Sequence, residues 1–279
     1  MNVIDGKTIA ESIRNGLKKR INASSVKPCL AVVLVGEDPA SKIYVRLKKK
    51  ACEEIGIISL EHRMPEETTQ DELLRLVDKL NSDKDVHGIL IQLPLPSHID
   101  ANKVIENIVT EKDVDGFTSF NAGKLMQGKD SMEPCTPKGI MRLLDKYEVD
   151  IMGKNAVVIG RSNIVGKPIA MMLLRRHATV TLCHSKTKNL GDITKKADIL
   201  VAAVGKPGMI TEEMVKPGAV VVDVGTNRIS DGKLVGDVDF EGVKEIAGLI
   251  TPVPGGVGPM TIAMLLENTV DAAKIPELR

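Results

Sequence analysis

A chain of 279 residues is long enough for two domains of about 100 to 150 residues, each with its own core. Its 38 Lys and Arg against 37 Asp and Glu leave a net charge of +1, which argues against a nucleic-acid or acidic-polymer partner, because those need a concentrated basic face. With no Trp, two Tyr and three Phe, there is no aromatic platform for single-stranded bases, and Tyr44 and Tyr147 become individually noticeable.

Helix and strand patterns alternate from the start: helix over 5–23, strand over 29–35, helix over 39–55, strand over 57–61, helix over 69–80, strand over 86–93. Such alternation predicts an α/β fold with a mostly parallel sheet covered on both faces. The first twenty residues mix charge with apolar side chains and contain no signal-peptide core, and no stretch reaches the roughly 18 to 20 apolar residues of a membrane span. Cys29, Cys52, Cys135 and Cys183 form no Cys-x-x-Cys pair and sit in or beside apolar runs. They read as buried free thiols in a reducing compartment, so the cytoplasm is the expected location.

The helix over 39–55 rewards a projection at about 100° per residue. With Ala40 at zero, Ile43, Leu47, Ala51, Tyr44 and Ile55 form an apolar arc, with Lys48 at its border about 80° round, Lys49 in solvent and Lys50 on the opposite border. Lys48 shares a side with Tyr44, one turn earlier. It is either a base or directed donor made usable by desolvation, or a lysine whose stem covers the core edge. Glu54 also falls on the arc, which is therefore not strictly dry.

Gln92 stands where the apolar strand runs into Leu-Pro-Leu-Pro, at the strand end where open α/β sheets bind ligands. It either points into a cleft or satisfies loop backbone; His87, at the other end, reads as structural. Glu111-Lys112-Asp113-Val114-Asp115-Gly116 opens a stretch over 110–137 without periodicity, and we place the domain boundary there. Asp115 either shapes a turn or takes two N–H donors from a heterocycle.

A helix over 137–147 begins a second alternating series, with strands at 155–159, 179–183, 198–203, 219–224 and 249–250. The first strand runs into Gly160-Arg161-Ser162-Asn163-Ile164-Val165-Gly166-Lys167-Pro168, a glycine-bounded loop opening a helix, which is how a dinucleotide site looks in sequence. Ser162 occupies the place of the usual second glycine. The second strand ends in Ser185-Lys186-Thr187-Lys188, hydroxyls and cations where an NAD site has a carboxylate; with Arg161 this favours NADP, the alternative being a polar surface turn. Asp231-Gly232 between short apolar runs signals a hairpin. A helix over 260–273 follows the turn-rich segment 251–259, whose glycine loop is either a source of backbone amides or only a turn. Periodicity does not say which domain that helix joins. No zinc ligand cluster, nucleophile triad or Walker sequence is present.

Together Tyr44-Val-Arg-Leu-Lys48, Gln92-Leu-Pro-Leu-Pro96, Lys112-Asp-Val-Asp-Gly116, Pro134-Cys-Thr-Pro137, Gly160 to Pro168, Cys183-His-Ser185, Asp223-Val-Gly-Thr-Asn227 and Pro252 to Thr261 resemble the bifunctional methylenetetrahydrofolate dehydrogenase/methenyltetrahydrofolate cyclohydrolase family over nearly the whole chain. Thr226 is a mild departure, where a larger apolar residue is expected. The resemblance implies two α/β domains flanking a cleft: a folate-binding catalytic domain of 1–137 plus 258–279, to which the last helix returns, and a Rossmann-type NADP-binding domain of 138–257. It implies Lys48 as the central cyclohydrolase residue, oriented by Gln92, Tyr44 against the folate's aminobenzoate ring and Asp115 on the pterin, with Ser41, Gly255 and Pro259 also contacting substrate. Gly160, Arg161, Ser162, Ile164, Gly166, Ser185 and Thr226 are the implied cofactor contacts, Arg161 and Ser185 at the 2′-phosphate. The implied partners are tetrahydrofolate derivatives, with no nucleic acid and no membrane, and a second copy in a homodimer. The alternatives are an NADP-dependent dehydrogenase of a small keto or amino acid, with Lys48 and Asp115 as its acid/base pair, and a non-catalytic two-lobed ligand-binding protein.

Overall fold

The structure, a computed structural model, describes residues 2–229 and 232–277. It divides into two compact units, one of Ser12–Cys135 with Ile262–Arg279 and one of Met1–Glu11 with Thr136–Thr261. The last helix is divided between them, its residues from Ile262 onward grouping with the first unit. The first eleven residues group with the second unit, where Val3 bridges Ile250 and Ile4 N–H donates to Ile250 O at 2.8 Å.

In the first unit α1 (Gly6–Asn22) leads to β1 (Cys29–Val35), α2 (Pro39–Ile55), β2 (Ile58–Met64), α3 (Gln70–Ser82) and β3 (Gly88–Ile91). The three strands form a parallel sheet in the order β2-β1-β3. All seven residues of β1 are buried, which an unbroken apolar run such as Cys-Leu-Ala-Val-Val-Leu-Val requires of a strand covered on both faces. Val33 and Ile89 of the sheet pack in one cluster with Leu73 and Val77 of α3 and with Val104 of α4 (Ala101–Glu106). The stretch expected to be irregular contains α5 (Ser119–Met126), opened by Thr118, whose side chain accepts from Asn121 N–H. Its eight residues are too few for an apolar repeat to stand out, so capping announces this helix better than periodicity.

The chain continues with α6 (Cys135–Lys146), β4 (Asn155–Ile159), α7 (Gly166–Arg175), β5 (Thr179–Cys183), α8 (Leu190–Thr194), β6 (Ile199–Ala202), β7 (Val220–Asp223), β8 (Asn227–Arg228), β9 (Leu234–Val235), α9 (Phe240–Val243) and β10 (Leu249–Ile250), which belong almost wholly to the second unit, and with α10 (Val257–Ala272), which passes into the first unit at Ile262. Five parallel strands lie in the order β10-β7-β6-β4-β5. The chain reverses direction across the sheet between β4 and its neighbours β5 and β6, which makes the carboxyl end of β4 a topological switch point. β8 and β9 form the expected antiparallel hairpin; Asp231 of its turn lies outside the described residues. Among the described residues no helix is long and apolar enough to cross a membrane.

All four cysteines are free and buried. Burial pushes the Cys52 thiol up to about 12, so it is a packing residue and not a nucleophile.

Candidate active site

α2 is fixed at both ends. Asp38 accepts from Ser41 N–H at 2.7 Å, Pro39 supplies the first turn, and Gly56 closes the helix in the left-handed region with its N–H on Cys52 O and Glu53 O. Its buried residues are Ser41, Val45, Ala51, Cys52 and Ile55. This corrects the expected arc, which is turned by roughly 80°. Tyr44 and Leu47 are 39% and 44% exposed, and Lys48 projects from the middle of the buried face and not from its border. The apolar count misled because Ser41 and Cys52 take core positions while Tyr44 and Leu47 remain outside.

Half-buried Lys48 finds a partner there: its Nζ donates to Gln92 Oε1 at 3.0 Å. Gln92 follows β3 directly, its N–H continues the ladder to Val33 O at 2.9 Å, and its Nε2 donates to Leu93 O at 2.7 Å. The amide is thus oriented by backbone, with its oxygen toward the lysine. His87 is structural as expected, its Nδ1 accepting from Cys29 N–H at 3.2 Å.

Asp115 lies two residues past an isolated parallel bridge of Asp113 with Ile89 of β3, in a turn closed by Gly116 N–H on Asp113 O at 3.1 Å, and close enough to Lys48 for the ammonium to act on its carboxyl. The absent side chain of Gly88 permits this approach: a Cβ there would lie 2.6 Å from Val114 Cγ1. Buried Asp113 does the turn-making that Asp115 also offered, accepting from Phe117 N–H, Thr118 N–H and Asn121 Nδ2. Lys112 donates to the carbonyls of Leu80, Asn81 and Asp83 and anchors the loop to the end of α3. From α10, Asn268 Nδ2 donates to Val114 O at 2.8 Å and Glu133 O at 3.0 Å.

The Cys135 thiol lies 3.5 Å from Asp115 Oδ1. Burial raises its carboxyl above the ordinary value of 3.8, against the downward pull of the Lys48 ammonium. On α2, seven residues before Lys48, Ser41 Oγ is buried and has no hydrogen-bond partner among the described residues, an acceptor and donor left for something else. Sequence reasoning passed over Asp113, Lys112 and Asn268 as supports, because their partners lie on other elements or in the turn itself and no local spacing reveals them.

In the second unit Ile159 pairs with Cys183 and Gly160 N–H donates to Cys183 O at 2.9 Å, so Arg161 and Ser185, each two residues further, leave adjacent strand ends at one level. Gly160 has φ 117°, and a Cβ there would lie 2.1 Å from Ala203 O; one on Gly166 would lie 2.0 Å from Gly160 O. The loop is folded tightly on itself and on the strand end beside it. Ser162 Oγ accepts from Val165 N–H at 3.1 Å and Gly166 N–H at 3.2 Å, capping the entry to α7 in place of a glycine.

Arg161, Ser162 and Ile164 are exposed over the amino end of α7, as are Ser185, Lys186 and Thr226 at neighbouring strand ends. His184 N–H donates to Thr187 Oγ1 and Lys186 N–H to His184 Nδ1, a turn that leaves Ser185 outermost. No carboxylate stands at 184–188. Gly255, at φ 111°, and half-buried Pro259 lie in this unit, before and within the first turn of α10. A cavity of about 370 Å³ lined by Tyr147, Lys154, Asp198, Lys216 and Leu249 opens at the opposite, amino edge of this sheet. Within it Lys216 pairs with Asp198 and Lys154 with Asp150, and its place at the edge opposite the glycine loop sets it apart from the chemistry.

Residues 4–115 match the catalytic domain of tetrahydrofolate dehydrogenase/cyclohydrolase, and residues 134–277 match its NAD(P)-binding domain. The chain belongs to this family. It is 61% identical to the bifunctional protein FolD of Moorella thermoacetica over 275 residues, 98% of each chain. The crystal structure of the bifunctional FolD of Campylobacter jejuni superposes with a TM-score of 0.96 at 53% identity, covering 98% of each chain. The FolD of Trypanosoma brucei, complexed with NADP and an inhibitor, gives 0.94 at 40% identity, covering 98% of this chain and 97% of that one. Whole-length likeness of this order to dehydrogenase/cyclohydrolases does not favour the keto-acid dehydrogenase or the binding protein.

Proposed function

We propose that this chain oxidises 5,10-methylenetetrahydrofolate with NADP and hydrolyses the resulting 5,10-methenyltetrahydrofolate to 10-formyltetrahydrofolate. The observation that carries the second activity is the bond from Lys48 Nζ to Gln92 Oε1 at the carboxyl end of β3, with the Asp115 carboxyl within the electrostatic reach of that ammonium. Purified protein given methylenetetrahydrofolate and NADP is expected to form NADPH; a preparation that forms none contradicts the assignment.

Bound NADP supplies the hydride acceptor, the C4 carbon of its nicotinamide. The donor set suits it: a glycine-bounded loop at a helix amino end for the pyrophosphate, and Arg161 and Ser185 each two residues beyond the ends of paired strands, with no carboxylate at 184–188 to repel a 2′-phosphate. Replacing both, Arg161→Ala with Ser185→Ala, should raise the Michaelis constant for NADP at least tenfold more than that for NAD, since charge-assisted bonds are worth about 1.5–3 kcal/mol each. An unchanged preference removes their role.

Oxidation needs geometry more than a proton acceptor, because the folate nitrogens stabilise the methenyl cation themselves. Hydrolysis needs proton movement: water adds to the methenyl carbon and gives up a proton, and N5 takes one as its bond to that carbon breaks. Lys48, aimed by Gln92, is the group we assign to that transfer. Tyr44, exposed one turn earlier, offers its ring face to the aminobenzoate, and Ser41 Oγ and the loop at Gly255 and Pro259 are further substrate contacts. Asp115 holds two pterin N–H groups as an ionised carboxylate.

That last role sets a pH dependence. A raised carboxyl keeps its acceptor function above its own pKa and loses it as pH falls through that value, before exposed carboxylates are protonated. Folate affinity should weaken on this acid limb, and Asp115→Asn should remove the limb while raising the folate Michaelis constant about tenfold or more. The same limb surviving in that variant assigns it to another group. The four buried thiols support a reducing cytoplasmic setting, and on the family resemblance we read the protein as a homodimer.

A further inference from the structure

Beside the dinucleotide loop the second unit buries two carboxylates, Asp223 and Asp237, that neither activity consumes. Asp237 is fully buried, and its carboxylate collects four donors: Val204 N–H at 2.6 Å, Gly205 N–H at 3.0 Å, Lys206 N–H at 2.9 Å and Asn227 Nδ2 at 2.9 Å. Three successive backbone N–H groups form the kind of concavity that usually takes a bound anion. Here the chain fills it with its own side chain. Asp223 holds the backbone of Asp237 in turn, accepting from Asp237 N–H and Gly225 N–H on Oδ1 and from Val238 N–H on Oδ2, each at 2.9 Å.

The groups so joined are the loop after β6, the loop after β7 and the segment after β9 that carries Asp237. The first of these is also the one Gly160 packs against, through Ala203. In a doubly wound sheet the adenosine end of a dinucleotide lies over the second strand, here β5, and the pyrophosphate over the loop after β4. The redox ring therefore falls on the β6 and β7 side. We infer that Asp237 is a positioning residue for hydride transfer: it locks the loops after β6 and β7 into one surface that seats the nicotinamide. The inference rests on the dehydrogenase reading of the dinucleotide site.

The two activities of one chain supply the control, because hydrolysis of the methenyl compound needs no nicotinamide. Asp237→Asn replaces one accepting oxygen with an amide that faces N–H donors. The dehydrogenase kcat should fall about 10- to 100-fold, with a smaller change in the Michaelis constant for NADP and with cyclohydrolase kcat/KM unchanged. An equal loss of both activities assigns Asp237 to folding alone and overturns the inference, as does no loss, or a loss confined to the NADP Michaelis constant. Asn227→Ala, which leaves the carboxylate in its nest and frees only the β7 side, should give a smaller loss of the same selectivity; if Asp237→Asn yields no soluble protein, selectivity in Asn227→Ala decides. Wild-type protein lacking dehydrogenase activity would instead overturn the reading beneath.

Discussion

Lys48→Met is expected to abolish cyclohydrolase turnover and leave the dehydrogenase running. Methionine keeps an unbranched stem in the middle of the buried face of α2, where Val45, Ala51, Cys52 and Ile55 surround the position, and removes only the ammonium. Gln92 Oε1 loses its donor, while Gln92 Nε2 stays on Leu93 O, so the loop after β3 keeps its shape. Positioned proton transfer is worth about 10² to 10⁴-fold, and that is the loss to expect in hydrolysis. Oxidation asks no proton of Lys48, so NADPH formation continues and the methenyl compound accumulates. A Lys48→Met variant hydrolysing at the wild-type rate contradicts the assignment of this residue.

Gly160→Ala should produce the opposite pattern. At φ 117° an alanine is strained by its own backbone, and the new Cβ has no room 2.1 Å from Ala203 O. The carbonyl belongs to backbone that a flexible side chain cannot imitate by stepping aside. The cost, about 3 kcal/mol or more, must be met by moving the loop that opens α7 or the one after β6. Either movement displaces the dinucleotide, and dehydrogenase kcat/KM should fall at least about 100-fold. Residues 12–135 and 262–279 form a separate unit, so methenyl hydrolysis should persist. Retained oxidation in Gly160→Ala removes the loop from the cofactor site.

Much of this was open to the sequence. Strand runs such as 29–35 and 156–159 are unbroken and buried on both faces, a pattern that needs no tertiary knowledge to read. The glycines of the 160–166 loop stand where backbone must approach backbone, and Gln92 stands at a strand's carboxyl end. What stayed hidden depends on partners distant along the chain. The face of α2 was misjudged because Leu47 and Tyr44 count as apolar whether or not anything covers them, whereas Ser41 and Cys52 are buried. The supports of Asp115 come from Asn121, which holds Asp113 eight residues before it, and from Asn268 in the last helix. Asp223 and Asp237 gather donors from three separate loops. Burial pushes the Asp223 carboxyl up to about 6 despite three N–H donors, a cost no linear pattern reveals. Short helices such as α5 lack the length for a period and are announced only by their caps.

The claim that one chain carries both steps is tested most directly by a single time course. Wild-type protein with methylenetetrahydrofolate and NADP is followed for NADPH and for methenyl absorbance together. NADPH should rise without lasting methenyl accumulation, and the product should be 10-formyltetrahydrofolate. Methenyl rising in step with NADPH and remaining would contradict the cyclohydrolase half, and neither signal rising would contradict the whole.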